Sequence, residues 1–303
     1  MNSLWPWIIF LVMVLALLAL DLGVFNRRPH AVGFREAAGW SAFWVGLSLA
    51  FNLGIYWRSG TESALQFLTS YLLEKSLSAD NIFLFALIFT SMRVAAEYQH
   101  RVLYWGVLGA LVMRGLFIVV GVQIVRQFHA VLYLFAIFLL VMGVRLLFHE
   151  GRKFDPGNSR FICLVRKIFP ISDGYVGGKF FTRCGGSVCA TPLLLVLIMI
   201  ELADLTFAMD SIPAVFGVTQ DAFIIFTSNV LAILGLRSLY FLLAQAMTRF
   251  RYLHPALAVI LILIGGRMLL ARWVYIPTGF ALLGIVLVLG TAILTSLIAE
   301  KRA

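Results

Sequence analysis

Charge is scarce in this chain. Asp, Glu, Lys and Arg make up 13% of the residues against 62% apolar ones. That balance excludes a soluble domain, which would have to hide several runs of about 20 apolar residues. Cysteine is scarce too. Cys163, Cys184 and Cys189 cannot build a paired disulfide framework, and Cys184 and Cys189 lack the second pair that would complete a zinc site. They are expected as reduced thiols on the cytosolic side. No His-Glu-x-x-His is present, which excludes the metalloprotease chemistry that this spacing supports. Gly177-Gly178-Lys179 lacks the upstream glycine spacing and the following Ser or Thr of a phosphate-binding loop. No enzyme activity and no permanently bound cofactor are expected. The first apolar run, Leu4–Phe25, has no basic leader segment and no small-residue cleavage pattern, and it carries Asp21. It reads as a retained helix rather than a signal peptide.

What is present is a series of apolar runs, nine by inspection: roughly 4–25, 37–57, 64–92, 103–124, 130–148, 190–215, 224–246, 255–271 and 277–298. The fold expected is an all-α polytopic membrane protein with about nine transmembrane helices. The formal charge of +10 does not point to nucleic acid, because the basic residues lie between apolar runs, as topology signals do. With the N-terminus outside, the cytosolic loops and tail hold 16 of the 19 that lie outside the runs. One loop alone carries Arg152, Lys153, Arg160, Arg166, Lys167, Lys179 and Arg183, whereas the outer loops hold only Arg58, Arg126 and Arg272. This asymmetry predicts a bacterial inner membrane, with the N-terminus outside and the C-terminus cytosolic. The bilayer is one partner; nothing in the chain identifies a protein partner.

Two acidic stretches interrupt the apolar runs. Glu74, Asp80 and Asn81 are matched by Asp204, Asp210 and Ser211 at the same spacing, with Glu201 three residues before Asp204. Five intramembrane carboxylates left uncompensated would cost roughly 12–17 kcal/mol on insertion scales. They read either as buried structural ion pairs or as an intramembrane cation or proton site, and their duplication favours the second. The duplication extends further. Val107–Leu116, with Arg114, matches Val230–Leu239, with Arg237, and Gly143-Val144-Arg145 matches Gly265-Gly266-Arg267. The repeat unit is three runs, and an odd number predicts that the second copy crosses the membrane in the opposite sense, an inverted 3+3 helix repeat of the kind common in secondary transporters. The organisation expected is residues 1–63 with two spans, 64–148 as the first half, 149–189 as a basic cytosolic linker, 190–271 as the inverted second half, and 272–303 as the last span and tail.

Carboxylates accompanied by Asn81 and Ser211, with no His or Cys, offer hard oxygen ligands that suit Mg²⁺, Ca²⁺ or Mn²⁺ better than Zn²⁺ or Cu⁺. A six-residue gap in an unbroken helix turns the side chain by about 600°, so each pair of acids would share a cavity only across a local break, for which Pro213 is the candidate point. Arg114 and Arg237, mid-run, and Lys75, beside Glu74, are expected as charge-compensating residues. A cation that displaced protons from these acids would give a route to proton-coupled exchange.

Glu74-Lys75-Ser76-Leu77-Ser78-Ala79-Asp80-Asn81 and Phe207-Ala208-Met209-Asp210-Ser211-Ile212-Pro213-Ala214 resemble the two signature motifs of the TerC family of integral membrane proteins. The length and the early Asp21-Leu22-Gly23-Val24-Phe25 are similar to its Alx-like branch. The resemblance implies an architecture like that of the LysE-type transporters. It also implies Mn²⁺ as transported substrate and efflux as direction, with Glu74, Asp80, Asn81, Asp204, Asp210 and Ser211 at the metal site and Asp21 and Glu201 added to them. The family name refers to tellurium resistance, yet a carboxylate-lined cavity repels an oxyanion such as tellurite. The competing expectation is a membrane partner that assists metal loading or insertion of other proteins, with the 149–189 loop as its dock.

Overall fold

The structure is a computed structural model. It describes residues 4–23, 33–148, 170–172, 174–184, 187–244, 252–271, 273–274 and 276–302, with side chains for all of these except 20–23, 79, 80, 187, 244, 253, 254, 297 and 299–302. The described residues form helices α1 (Trp5–Gly23), α2 (Phe34–Ser91), α3 (Ala96–Gln127) and α4 (Ala130–Phe148), strands β1 (Phe181–Cys184) and β2 (Ser187–Ala190), then α5 (Pro192–Phe216), α6 (Ala222–Leu234), α7 (Leu236–Ala244), α8 (Leu253–Leu270) and α9 (Thr278–Arg302). Each of the nine apolar runs falls on helix. The second and third share α2, and the run 224–246 is divided between α6 and α7.

By length and composition, α3, α4, α5 and Thr278–Ser296 of α9 can each cross a membrane, and α6 with α7 can do so as a pair bent by 44°. Trp5–Ala19 and Pro255–Leu270 are shorter apolar helices. The protein is an all-α polytopic membrane protein, its β structure among the described residues being one antiparallel hairpin.

Two breaks shape the bundle. α2 changes direction at Gly60, whose φ of 85° lies in the left-handed region that glycine enters without penalty. Gly235 separates α6 from α7. The break expected at Pro213 is absent, because α5 stays helical through that residue to Phe216. Pro213 sits in the last turn, and the N–H of Gly217 already closes the helix on the carbonyls of Pro213 and Ala214. Pro213 has no N–H to give the Met209 carbonyl, yet α5 continues helical for one further turn.

The helix ends gather at two levels. At one, the second arm of α2, α6 and α9 begin and α5 and α8 finish; there Thr278 reaches Glu62 and Arg267 reaches Gly217. At the other lies the hairpin. Here α2 ends in a Schellman motif, with the N–H of Val94 on the Phe89 carbonyl and that of Arg93 on the Thr90 carbonyl, and Arg93 (φ 53°) takes the left-handed position. The second arm of α2 and α5, which carry the two acidic stretches, therefore run in opposite senses.

The linker expected over 149–189 is partly structured. Its residues 149–169 lie outside the described residues. Beyond them, Gly177 and Gly178, both with positive φ, make a turn that packs Gly178 against Tyr98. The Arg101 guanidinium lies 5.2 Å from the Phe180 ring. The Tyr175 hydroxyl donates to the Met92 carbonyl at 2.7 Å, and burial raises the pKa of this phenol. Strands β1 and β2 pair Thr182 with Cys189 and Cys184 with Ser187. Cys184 and Cys189 are not joined in a disulfide.

Helices α4 and α8 make a reciprocal close contact. A Cβ on Gly143 would lie 2.8 Å from the Ala258 carbonyl and 2.7 Å from Ile262, and one on Gly265 would lie 2.9 Å from the Ala136 carbonyl and 3.1 Å from Leu140. Small residues let transmembrane helices approach this closely. Gly143→Ala or Gly265→Ala is expected to destabilise the protein by about 1–3 kcal/mol and to lower its thermal midpoint in detergent. Gly266→Ala, which meets open space, should leave the midpoint unchanged or slightly raised.

Candidate functional site

The centre of the bundle holds Arg114, 2% exposed, on α3. Its Nη2 donates to Asp204 Oδ1 at 2.8 Å and its Nε to Asp204 Oδ2 at 3.1 Å, a two-pronged pairing with α5. Its Nη1 donates to Glu74 Oε1 on α2, to Ser211 Oγ on α5 at 3.3 Å and to Asn229 Oδ1 on α6 at 3.3 Å. Glu74 is fully buried and Asp204 is 2% exposed. Four helices thus meet on one guanidinium, whose planar fork of five donors matches several acceptors at once.

Small residues let the helices close on this point. Gly109 of α3 has the Glu201 carboxylate where a Cβ would stand, and Gly106 faces Ile200 at 3.3 Å. Bulk at either position would hold α3 away from α5 and carry Arg114 off Asp204. Apolar residues, Ile118 and Ile212 in one cluster and Val107 and Ile233 in another, flank the ion cluster. In such surroundings an unpaired charge is far costlier than a paired one. One guanidinium against two carboxylates still leaves a formal charge of −1.

The expected site residues are distributed as follows. Glu74, Asp204 and Ser211 come together, and they do so on Arg114. Asn81 is buried on α2, and its amide oxygen has no hydrogen-bond partner among the described residues. Glu201 is half-buried on α5 with Oε2 likewise unpartnered. Asp210 is half-buried on the same helix. The side chains of Asp21 and Asp80 lie outside the described residues. Arg237 is the second residue of α7, just past the break at Gly235. Lys75 departs from its expected place among the acids. Its ammonium donates to the Ala232 carbonyl at 2.9 Å and stands 5.8 Å from the Tyr71 ring. It satisfies a carbonyl in the last turn of α6, where the break removes the next helical donors.

No group of three or more His, Cys, Asp and Glu side chains placed to hold a metal ion occurs among the described residues. The side chains of Asp21 and Asp80 are not among them; Asp204 and Asp210, six residues apart on the uninterrupted helix α5, diverge around its axis, and Arg114 stands between Glu74 and Asp204. Sequence reasoning missed Asn229, the fourth partner of Arg114. Its signal was a lone amide inside the apolar run 222–234. It also missed the unpartnered hydroxyls of Ser70 and Ser78, which lie on the same helix as Glu74 at spacings of four.

The chain matches the profile of the "Integral membrane protein TerC family" over residues 59–303. Among curated relatives, an "Uncharacterized membrane protein STKORF319" of Myxococcus xanthus is 46% identical, over 98% of this chain and 93% of its own length. A "Putative membrane-bound redox modulator Alx" of Photorhabdus laumondii is 41% identical over 97% of this chain and 95% of its own. A protein of the same description from Escherichia coli K12 is 44% identical over 91% and 89%. No solved structure matches the chain.

Removing the guanidinium leaves two buried carboxylates without a counter-charge. Arg114→Met is therefore expected to cost about 3–5 kcal/mol, seen as a large fall in the yield and thermal midpoint of purified protein. Adding Glu74→Gln and Asp204→Asn to Arg114→Met should recover most of that loss. A triple variant as unstable as Arg114→Met would show that packing of the arginine, rather than charge balance, sets the cost.

Proposed function

The chain belongs to the TerC family of integral membrane proteins, and from that premise we propose that it carries divalent cations, Mn²⁺ foremost, out across the cytoplasmic membrane. The observation that carries this reading is the buried centre with its excess of negative charge: Glu74 and Asp204 around Arg114, with Glu201 and Asp210 on the same helix as Asp204. Ionisable groups in the middle of membrane-spanning helices mark ion pathways. A net negative, oxygen-only donor set prefers a hard divalent cation.

In this reading Arg114 is a tethered cation that neutralises the acids when no metal is present. The carboxylates released when it moves take up the metal together with Asn81, Ser211, Asp80 and Asp210, and Asp21 and Glu201 lie on the route. The opposed senses of α2 and α5 and the reciprocal packing of α4 on α8 support an inverted repeat, and with it alternating access of the two halves. The protein is a carrier rather than an enzyme, and the metal is its cargo rather than a resident cofactor. Exchange for protons follows if the carboxylates hold protons between cycles. The N-terminus is outside and the C-terminus cytosolic, as the loop charges require. The preference for Mn²⁺ over Mg²⁺ and Ca²⁺ rests on the family resemblance, not on ligand chemistry.

The test is Mn²⁺ flux in proteoliposomes under an imposed pH gradient. Wild-type protein is expected to move Mn²⁺, and Asp80→Asn and Asp210→Asn to fall to the level of empty vesicles. Full flux in both variants would reduce the acids to structural ion pairs. A folded wild type with no flux would direct attention to a role as a membrane partner of other proteins.

A further inference from the structure

The second arm of α2 carries polar side chains at a regular interval. Glu62, Gln66, Ser70, Glu74, Ser78 and Asn81 follow one another at spacings of four, four, four, four and three. From Gln66 to Asn81 they fall within a sector of about 120°, with Glu62 about 40° beyond it, and successive steps are about 6 Å apart along the axis. Glu62 to Asn81 spans about 28 Å, close to the roughly 30 Å hydrocarbon thickness of a bilayer.

What these groups do with their hydrogen bonds separates them from the other polar residues of the same helix. Off this face, Thr69, Ser76 and Thr90 fold their hydroxyls back onto the carbonyls of Leu65, Leu72 and Ala86, at 2.7, 2.6 and 2.8 Å. Every helical Ser or Thr has that option. On this face, Ser70 and Ser78 do not take it. Their hydroxyls, together with Glu74 Oε2 and Asn81 Oδ1, are buried with no hydrogen-bond partner among the described residues. Four successive steps thus present unsatisfied oxygens in a protein that spans lipid, where each such oxygen is costly unless water or an ion meets it.

The end of this face nearest Gly60 is tied shut. The Thr219 hydroxyl donates to Gln66 Oε1 at 2.7 Å, and the Thr278 hydroxyl to Glu62 Oε1 at 2.6 Å. Gln66 Nε2 also donates to Glu62 Oε1, at 3.3 Å. Arg267 holds the same corner, with Nη1 on the Gly217 carbonyl at 3.0 Å and Nη2 on Thr278 Oγ1 at 3.5 Å. These bonds fasten α2 to the α5–α6 connection and to the start of α9, just above Ser70.

We propose that this face of α2, from Asn81 past the Glu74–Asp204 centre to the Glu62 end of the bundle, is a hydrated track for the cation, and that Gln66–Thr219 with Glu62–Thr278 is the latch that closes it at the Glu62 end. The proposal rests on the carrier reading and adds the route. Glu62 is the outermost acid on that route, Gln66 its barrier, and Ser70 the first oxygen inside. The chemistry is that of a small hydrated cation, since every group on the face offers oxygen and the charged ones are acids.

The test is chemical accessibility in proteoliposomes, in a background with Cys163, Cys184 and Cys189 replaced by Ser. Ser70→Cys and Ser78→Cys are treated with a small membrane-impermeant trimethylammonium methanethiosulfonate. Thr69→Cys and the buried α8 variant Ala258→Cys serve as references. Both track positions are expected to react, with Mn²⁺ slowing them, while both references stay unmodified. Adding Gln66→Leu should raise the rate at Ser70→Cys about five- to tenfold, the effect of one lost hydrogen bond. Ser78→Cys tests a second step independently should either variant fold poorly. Ser70→Cys and Ser78→Cys as inert as Ala258→Cys, with and without Gln66→Leu, would overturn the track. Mn²⁺ flux through the same vesicles separates this from the carrier reading. Flux with inert cysteines leaves the carrier standing and removes the track, whereas reactive cysteines without flux keep the track and remove Mn²⁺ as its cargo.

Discussion

A guanidinium buried among lipid-spanning helices can exist only if its charge is met, and the pairing of Arg114 with Asp204 and Glu74 imposes that condition on the bundle. The effective penalty of burying each ion is several kcal/mol even after relaxation. The helices that carry the partners are therefore fixed in rotation and height: α2 by Glu74, α5 by Asp204 and Ser211, α6 by Asn229 and α3 by the arginine itself. A slide of one residue along any of these helices rotates its contribution by about 100° and strands a charge. The close approaches at Gly106 and Gly109 are the packing consequence of that demand.

The same constraint reaches the helix breaks. Backbone carbonyls freed inside a membrane need donors, and at the α6–α7 break the donor to Ala232 is Lys75. Because Lys75 directly follows Glu74, the residue that helps hold Arg114 and the residue that satisfies the break are adjacent on α2. Any displacement of α2 acts on both at once. A Cβ on Gly235 would stand 2.7 Å from Lys75 Nζ and 3.1 Å from Trp44 Cβ, so the space the lysine needs is itself provided by glycine. The mechanical link between the acidic centre and the bent segment consists of these few atoms.

Much of this was readable in the chain. Nine apolar runs and two acidic stretches in register locate the helices, and the site residues expected from them include Glu74, Asp204 and Ser211, with Arg114 among the charge-compensating residues. What the sequence did not yield was the choice of partners. Glu74 and Lys75 are neighbours in sequence, which invites pairing them, but neighbours on a helix point about 100° apart, and each found its partner on another helix. Pro213 invited a break that α5 does not make, while one real break fell at Gly60, in the gap between the second and third runs, and the other at Gly235, inside an apolar run. Asn229 and Ser70 carry little signal, because one amide or hydroxyl in an apolar run is ordinary until the facing helix is known. The described part of the 149–189 linker, read as plain loop, leads through a turn at Gly177 and Gly178 into a hairpin, and Tyr175 and Phe180 tie it to the end of α2 and to α3.

The scaffold and the centre differ in symmetry. Gly143 meets Ala258 and Ile262, and Gly265 meets Ala136 and Leu140. All three residue pairs (Gly143 and Gly265, Ala136 and Ala258, Leu140 and Ile262) are separated by about the same 122 positions that relate the repeated sequences. Exchanging the two sides of this contact, with the numbers shifted by 122, returns the same contact between α4 and α8. At the centre the exchange fails. Arg114 lies within an unbroken α3, in Val-Leu-Gly-Ala-Leu-Val-Met-Arg, whereas Arg237 follows a break, in Val-Leu-Ala-Ile-Leu-Gly-Leu-Arg, with Gly235 standing where the first copy has Val112. α3 stays helical through Gly106, Gly109, Gly115 and Gly121, so a glycine permits a bend without imposing one; what distinguishes the bend at Gly235 is that Lys75 meets a carbonyl beside it. The two segments differ at four of these eight positions, and the bend falls in the one whose freed carbonyl has a donor, so the asymmetry lies beside the charged groups rather than in the helices that frame them.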